Sequence, residues 1–244
     1  MNEGRSSTGV GVHTRRIFAG LVPAATIPFL AALAYFVVLS GGVWTKAIYA
    51  AAKAFTVLWP VAAVALIEGG QIRWPRHSWR KHLSAIPAGV ASGMLIGGLI
   101  LAAYMWTPLG GHVQQFSETI SSKVGQLGIT EPAQYVAFGV FLAGVHSLIE
   151  EYFWRWYVFG RLVLVAPLGI AYPVAGLSFA AHHYVLLWVY FSVPEALAFG
   201  TAVGVGGVLW CWMFARQGTL AGAWISHAIV DLAILYVGYG LVFA

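Results

Sequence analysis

The sequence predicts an all-α, polytopic membrane protein: a bundle of about seven transmembrane helices with one amphipathic surface helix. Three observations carry that prediction. Of 244 residues 60% are hydrophobic and only 9% charged, where a soluble domain carries about 25% charged residues. Mean hydropathy is +0.80. Apolar stretches of about 20 residues, the length that crosses the hydrocarbon core, recur along the chain. Water is therefore not the main solvent, which excludes a soluble enzyme, a disordered tail and a nucleic-acid binder. The formal net charge of +5 reflects scarce acids more than abundant bases. The single cysteine, Cys211, excludes a disulfide framework and a Cys-based zinc site. Eleven Trp and eleven Tyr suit a protein with two membrane–water interfaces to line.

The first span is expected over residues 17–40, after a polar N-terminal stretch and the Arg15-Arg16 pair. Its apolar run is too long for a signal-peptide core. The second, residues 47–67, contains Lys53, which can snorkel to an interface, and Pro60, a kink site. The third, residues 83–106, is clean and Gly-rich. Residues 107–132 are polar, but Val113, Phe116, Ile120, Val124 and Leu127 recur at helical spacing, which predicts the amphipathic helix. The fourth span, residues 133–157, carries Glu150, Glu151 and Arg155. Spans five to seven are expected over residues 171–191, 196–214 and 220–243. The apolar piece 158–170, with Arg161 and Pro167, is too short to cross alone. It is read as an interfacial segment or an extension of a neighbour, and an eighth span follows if it inserts. Residues 1–132 then form three spans plus a connection, and residues 133–244 the motif-bearing helices of the same integral domain.

Basic residues set the sidedness. Arg15 and Arg16 precede span one; Arg73, Arg76, Arg80 and Lys81 lie between spans two and three. Arg161 follows span four and Arg216 span six, whereas the opposite loops hold little beyond Lys46 and Lys123. A cytoplasmic N-terminus puts every strongly basic loop on one side, and that parity agrees with seven spans. The compact, Ala/Gly-rich chain without a retention signal points to a bacterial cytoplasmic (inner) membrane. The cluster of Trp154, Trp156 and Tyr157 reads most simply as an interfacial belt.

Of eight acidic residues, Glu3, Glu68, Glu118, Glu131 and Glu195 fall in the tail, in loops or at span ends. Glu150, Glu151 and Asp231 fall inside spans, as do His146, His182, His183 and His227. An ionised side chain at mid-helix costs about 2.5–3.5 kcal/mol even on the lenient insertion scale. Such groups persist where they pair, line a wet cavity or do chemistry. Glu150 precedes Arg161 by eleven residues, His227 follows Arg216 by eleven, and His183 lies at a similar distance into span five. At 1.5 Å per residue each sits ~15 Å from the cytoplasmic boundary, so three helices deliver polar groups to one depth. Glu151 and Arg155 are spaced as a helical ion pair. Glu150 is rotated by about 100° from Glu151, which leaves it free for chemistry. His227 and Asp231 stack on one helical face. His182 and His183 are adjacent, so one of them faces the cavity. Phe179 reads as a packing residue, and His146 and Glu150 share the i,i+4 spacing of a possible metal-ligand pair.

Glu150-Glu151-x-x-x-Arg155, Phe179-x-x-x-His183 and His227-x-x-x-Asp231 resemble, in order, the EExxxR, FxxxH and HxxxN/D motifs of the type II CAAX prenyl endopeptidase and bacteriocin-processing (Abi, CPBP) family of intramembrane proteases. The resemblance covers residues 133–243. It implies a glutamate-dependent endopeptidase in a helical bundle, acting on a protein or peptide with a membrane-embedded or lipidated segment. By the same resemblance Glu150 is the general base on water, shared with His183. His227 and position 231 stabilise the oxyanion, and Glu151 with Arg155 forms a supporting ion pair. Many members carry Asn where this chain has Asp231. An ionised Asp cannot donate to an oxyanion, so Asp231 is better suited to orienting His227.

Two mechanisms share these residues. In one, Glu150 acts without any cofactor. In the other, Glu150, His183 and His227 bind Zn2+ as a two-His, one-carboxylate site with an open position. Two further classes use similar residues: a proton-coupled transporter, which would favour internal repeats not found here, and a non-catalytic membrane scaffold.

Overall fold

The computed structural model describes residues 4–39, 44–70 and 78–243, with side chains from residue 11 onward. Glu3, Arg73, Arg76 and the expected end of the first span at residue 40 lie outside the described residues. The described chain contains helices and no strand. Among the described residues seven helices are long and apolar enough to cross a membrane: Gly11–Val38, Thr45–Ile67, Trp79–Trp106, Pro132–Val165, Leu168–Tyr190, Val193–Gln217 and Ala221–Phe243. The chain is an integral, multi-pass membrane protein, and these helices are called spans one to seven below.

The ambiguous piece 158–170 resolves as an extension. Span four runs on from Pro132 to Val165 and stops just before Pro167, whose ring lacks an N–H and would clash one turn back. Span five starts at Leu168, directly after it. Ser192 then gives way to Pro194 in the first turn of span six, a position where the missing N–H costs nothing. Span six ends on Gly218, whose φ of 62° is the left-handed C-cap that glycine adopts freely. Pro60 does not end span two. The α-helix passes it to Ala62 and winds as a π-helix over Ala63–Ile67. The polar connection folds as two short helices, Pro108–Gln114 and Ser117–Gln126, not one. Val113, Ile120 and Val124 face inward as the spacing predicts, but Leu127 is exposed.

By internal contact the chain forms two compact units, residues 1–76 with 152–189 and 193–212, and residues 77–151 with 190–192 and 213–244. In the first, span one is notched at Gly20, where the Tyr157 hydroxyl lies so close that a Cβ would not fit. The Trp59 indole donates to the Gly20 carbonyl at 2.9 Å. Arg161 Nε donates to Glu68 Oε2 at 2.8 Å, and Tyr152 donates to the Val57 carbonyl. Spans five and six meet through Gly176 and Gly204, whose side-chain-free faces admit backbone contact.

In the second unit, span three packs on span seven along Gly89, Gly93 and Gly97. A Cβ at Gly89 would fall 2.6 Å from the Gly222 carbonyl, and one at Gly93 3.0 Å from the Ser226 carbonyl. Small residues let transmembrane backbones approach and let dispersion hold them without a hydrophobic drive. Ser92 and Ser226 share a hydrogen bond at 3.0 Å across this seam.

Candidate active site

Span four is where the sequence places its acids, and it is not a uniform α-helix. A π-turn, Leu142–His146, precedes the α-helical segment Ser147–Glu151, and a longer π-helix, Tyr152–Phe159, follows it. Single π-turns inside α-helices gather at functional sites because they re-aim the side chains on either side. The Ser147 N–H reaches back five residues to Leu142, and the Ser147 hydroxyl takes up the Ala143 carbonyl. Glu150 and Glu151 thus stand on one short α-helical turn bracketed by π-winding.

Within that unit the two glutamates, His146, His227 and Asp231 form one cluster. His227 Nδ1 lies 2.8 Å from Glu151 Oε1. An ionised carboxylate has no proton to give, so Nδ1–H is the donor. The opposite nitrogen, Nε2, faces Asp231 Oδ1 at 3.5 Å and Glu150 Oε2 at 3.8 Å. The other oxygen of Glu150 lies 3.4 Å from His146 Nε2. Glu151 and His227 are buried, and the side chain of Asp231 is 24% exposed. The cluster is held by Tyr135, whose hydroxyl donates to the Leu235 carbonyl, and by the Trp224 indole, which donates to the Gly144 carbonyl at 2.9 Å.

Glu150 and Glu151, about 100° apart on the helix, both reach the His227 ring. One imidazole presents its two nitrogens on opposite edges, and two long carboxylate arms 100° apart can flank it. The residue that orients His227 through Nδ1 is accordingly Glu151, and Asp231 sits on the Nε2 side. No pattern in the sequence announces that bond, because it joins residues 76 positions apart.

The remaining motif residues lie in the first unit. His183 Nδ1 is 2.9 Å from the Phe179 carbonyl one turn earlier. A carbonyl only accepts, so Nδ1 carries a proton and donates it. Phe179 is a packing residue, 1% exposed, with its ring 4.6 Å from that of His183. The Arg155 guanidinium, fully buried, lies over the rings of Phe179 and Trp210 at 4.4 and 5.0 Å, so the Arg155 and Phe179 positions of two motifs form one cation–π stack. His182 stacks on Trp154 with ring planes 5° apart. The expected interfacial belt fails here: Trp154 and Tyr157 are buried, because the π-wound segment packs around its circumference.

Fold and cluster together define a class: a multi-pass helical membrane protein that carries an acid–imidazole centre within its spans. Residues 132–233 match the family model of Rce1-like, type II CAAX prenyl endopeptidases. This segment, 102 of the 244 residues, is thus similar to that family, and the match indicates an intramembrane protease. All three motifs fall inside the matched segment. Neither the curated proteins nor the solved structures contain a match to the chain.

Proposed function

We propose that the protein hydrolyses a peptide bond in a membrane-associated protein or peptide with Glu150 as general base on water. The observation that carries this reading is the His227 ring, fixed through Nδ1 by Glu151 while its Nε2 faces Glu150. Peptide hydrolysis needs a base, a positioned water and a donor for the developing negative charge. Glu150 takes a proton from water as its oxygen attacks the scissile carbonyl. The carbonyl π electrons move to oxygen, and His227, carrying its second proton, donates Nε2–H to that oxyanion. The proton held by Glu150 then passes to the leaving amine as the C–N bond breaks. His183 enters this reading from its motif, as the residue that shares the water with Glu150. Asp231 lies beside Nε2 and fixes the ring from that side.

The substrate classes compatible with the reading are a prenylated C-terminal tail, a bacteriocin or pheromone leader, and the hydrophobic tail of a surface protein. The basic loops favour a cytoplasmic N-terminus, and the composition favours a bacterial cytoplasmic membrane. The metal-free form is the one proposed. In the zinc form Glu150, His183 and His227 would be the ligands, and the Glu151–His227 bond would serve as the outer carboxylate of a zinc-bound histidine. Membranes that contain the protein and a tagged candidate substrate separate these readings. Glu150→Gln, at wild-type abundance, is expected to lower cleavage by at least about 100-fold, and phenanthroline to leave the wild type unaffected. Wild-type cleavage by the variant overturns the protease mechanism. Complete, zinc-reversible inhibition by phenanthroline replaces it with the metal form.

A further inference from the structure

We propose that Trp224 is a positioning residue for the reaction, acting through His227, an inference that rests on the hydrolytic reading above. It lies one helical turn before His227 on span seven, and its indole Nε1–H donates to the Gly144 carbonyl at 2.9 Å. Gly144 is in the middle of the π-turn Leu142–His146. A π-turn displaces the helix's own N–H groups from its carbonyls, and a displaced carbonyl in a bilayer must find another donor or carry a cost of several kcal/mol. Ser147 supplies that donor to Ala143 from within the helix. At Gly144, which the Ser147 hydroxyl reaches only at 3.5 Å, the closer side-chain donor comes from another span.

That bond fixes register where register matters. The imidazole of His227 has to enter with Nδ1 on Glu151 and Nε2 towards Glu150 and Asp231. Besides the Glu151–His227 bond itself, a further directional tie between spans four and seven, from Tyr135 to the Leu235 carbonyl, lies two turns beyond His227 on the far side. The two bonds bracket the catalytic turn. At the far bond Leu235 also packs against Gly139, and the Tyr135 hydroxyl against Gly238. Deleting the indole N–H leaves packing intact and removes the span-four tie one turn before His227, and a displacement of 1 Å can cost about 100-fold in rate.

The test uses the full-length protein in detergent micelles, labelled with 15N-histidine. The variants are Trp224→Phe and a variant in which benzothienylalanine replaces Trp224, keeping the ring shape without the N–H. Trp106→Phe, at a residue 80% exposed, is the control. The Nδ1–H resonance of His227, assigned by its loss in His227→Gln, is expected to shift or broaden in both Trp224 variants and to stay in place in the control. On an internally quenched peptide with a farnesylated cysteine, kcat is expected to fall at least about tenfold with KM within about threefold of wild type. An unmoved His227 resonance in the benzothienylalanine variant overturns the proposal whatever the activity. If that resonance moves but Glu150→Gln cleaves like the wild type, the hydrolytic reading fails while the positioning of His227 stands. If Glu150→Gln is inactive and both Trp224 variants keep wild-type kcat, the positioning inference alone fails.

Discussion

His227 is where the polar contacts of the cluster concentrate. Its ring is shared by two carboxylates from span four and one from its own helix, and each occupies a defined edge. The consequences differ by position. Glu151 holds Nδ1 by a charge-assisted bond of 2.8 Å, so Glu151→Gln keeps an acceptor but loses the charge. Its kcat is expected to drop by tenfold to about 100-fold with KM little changed, measured on purified protein. Asp231, partly exposed on the Nε2 side, tolerates an amide, which can accept or donate there. Asp231→Asn is expected to retain cleavage within about tenfold of wild type, and a loss as deep as that of Glu150→Gln would assign Asp231 a catalytic proton. The chain itself shows that Glu150, His227 and Asp231 belong together, through depth and i,i+4 spacing. It does not show the partner of Nδ1, because helical spacing orders residues within one helix and says nothing of which ring a carboxylate meets across a seam.

At the scale of the element, span four explains both what the sequence reveals and what it conceals. Its length was ambiguous because Arg161 and the short apolar piece after Tyr157 resemble a loop. Arg161 is instead paired with Glu68 at 2.8 Å, inside the first unit, and two charges that cancel let a helix run on. An acid assigned to a span end thus proves to be the counter-ion for a base assigned to a loop. Breaking a buried pair by removing one partner costs about 3–5 kcal/mol, whereas replacing both is close to neutral. Arg161→Met is expected to lower the melting temperature in detergent markedly, and Glu68→Met in the same chain to restore most of the loss; no recovery would show that the pair is not the source of the destabilisation. The π-winding on both sides of Glu150 has no signature in composition, since Leu142–His146 and Tyr152–Phe159 carry ordinary helix-forming and aromatic residues.

At the scale of the whole molecule, composition alone settles the solvent, and the seven spans follow from apolar runs bounded by Pro, Gly and basic residues. The polar residues left inside those runs are too costly to be incidental, and three of them form the seam around His227. The family match over residues 132–233 supplies the reaction class, and the spans before it lie outside that match. The most direct test of the central claim is hydrolysis by the purified protein in liposomes after metal stripping, on a peptide that the untreated protein cleaves. The account predicts full activity in the stripped wild type and loss of at least about 100-fold in Glu150→Gln. Activity in the variant equal to that of the wild type would contradict it.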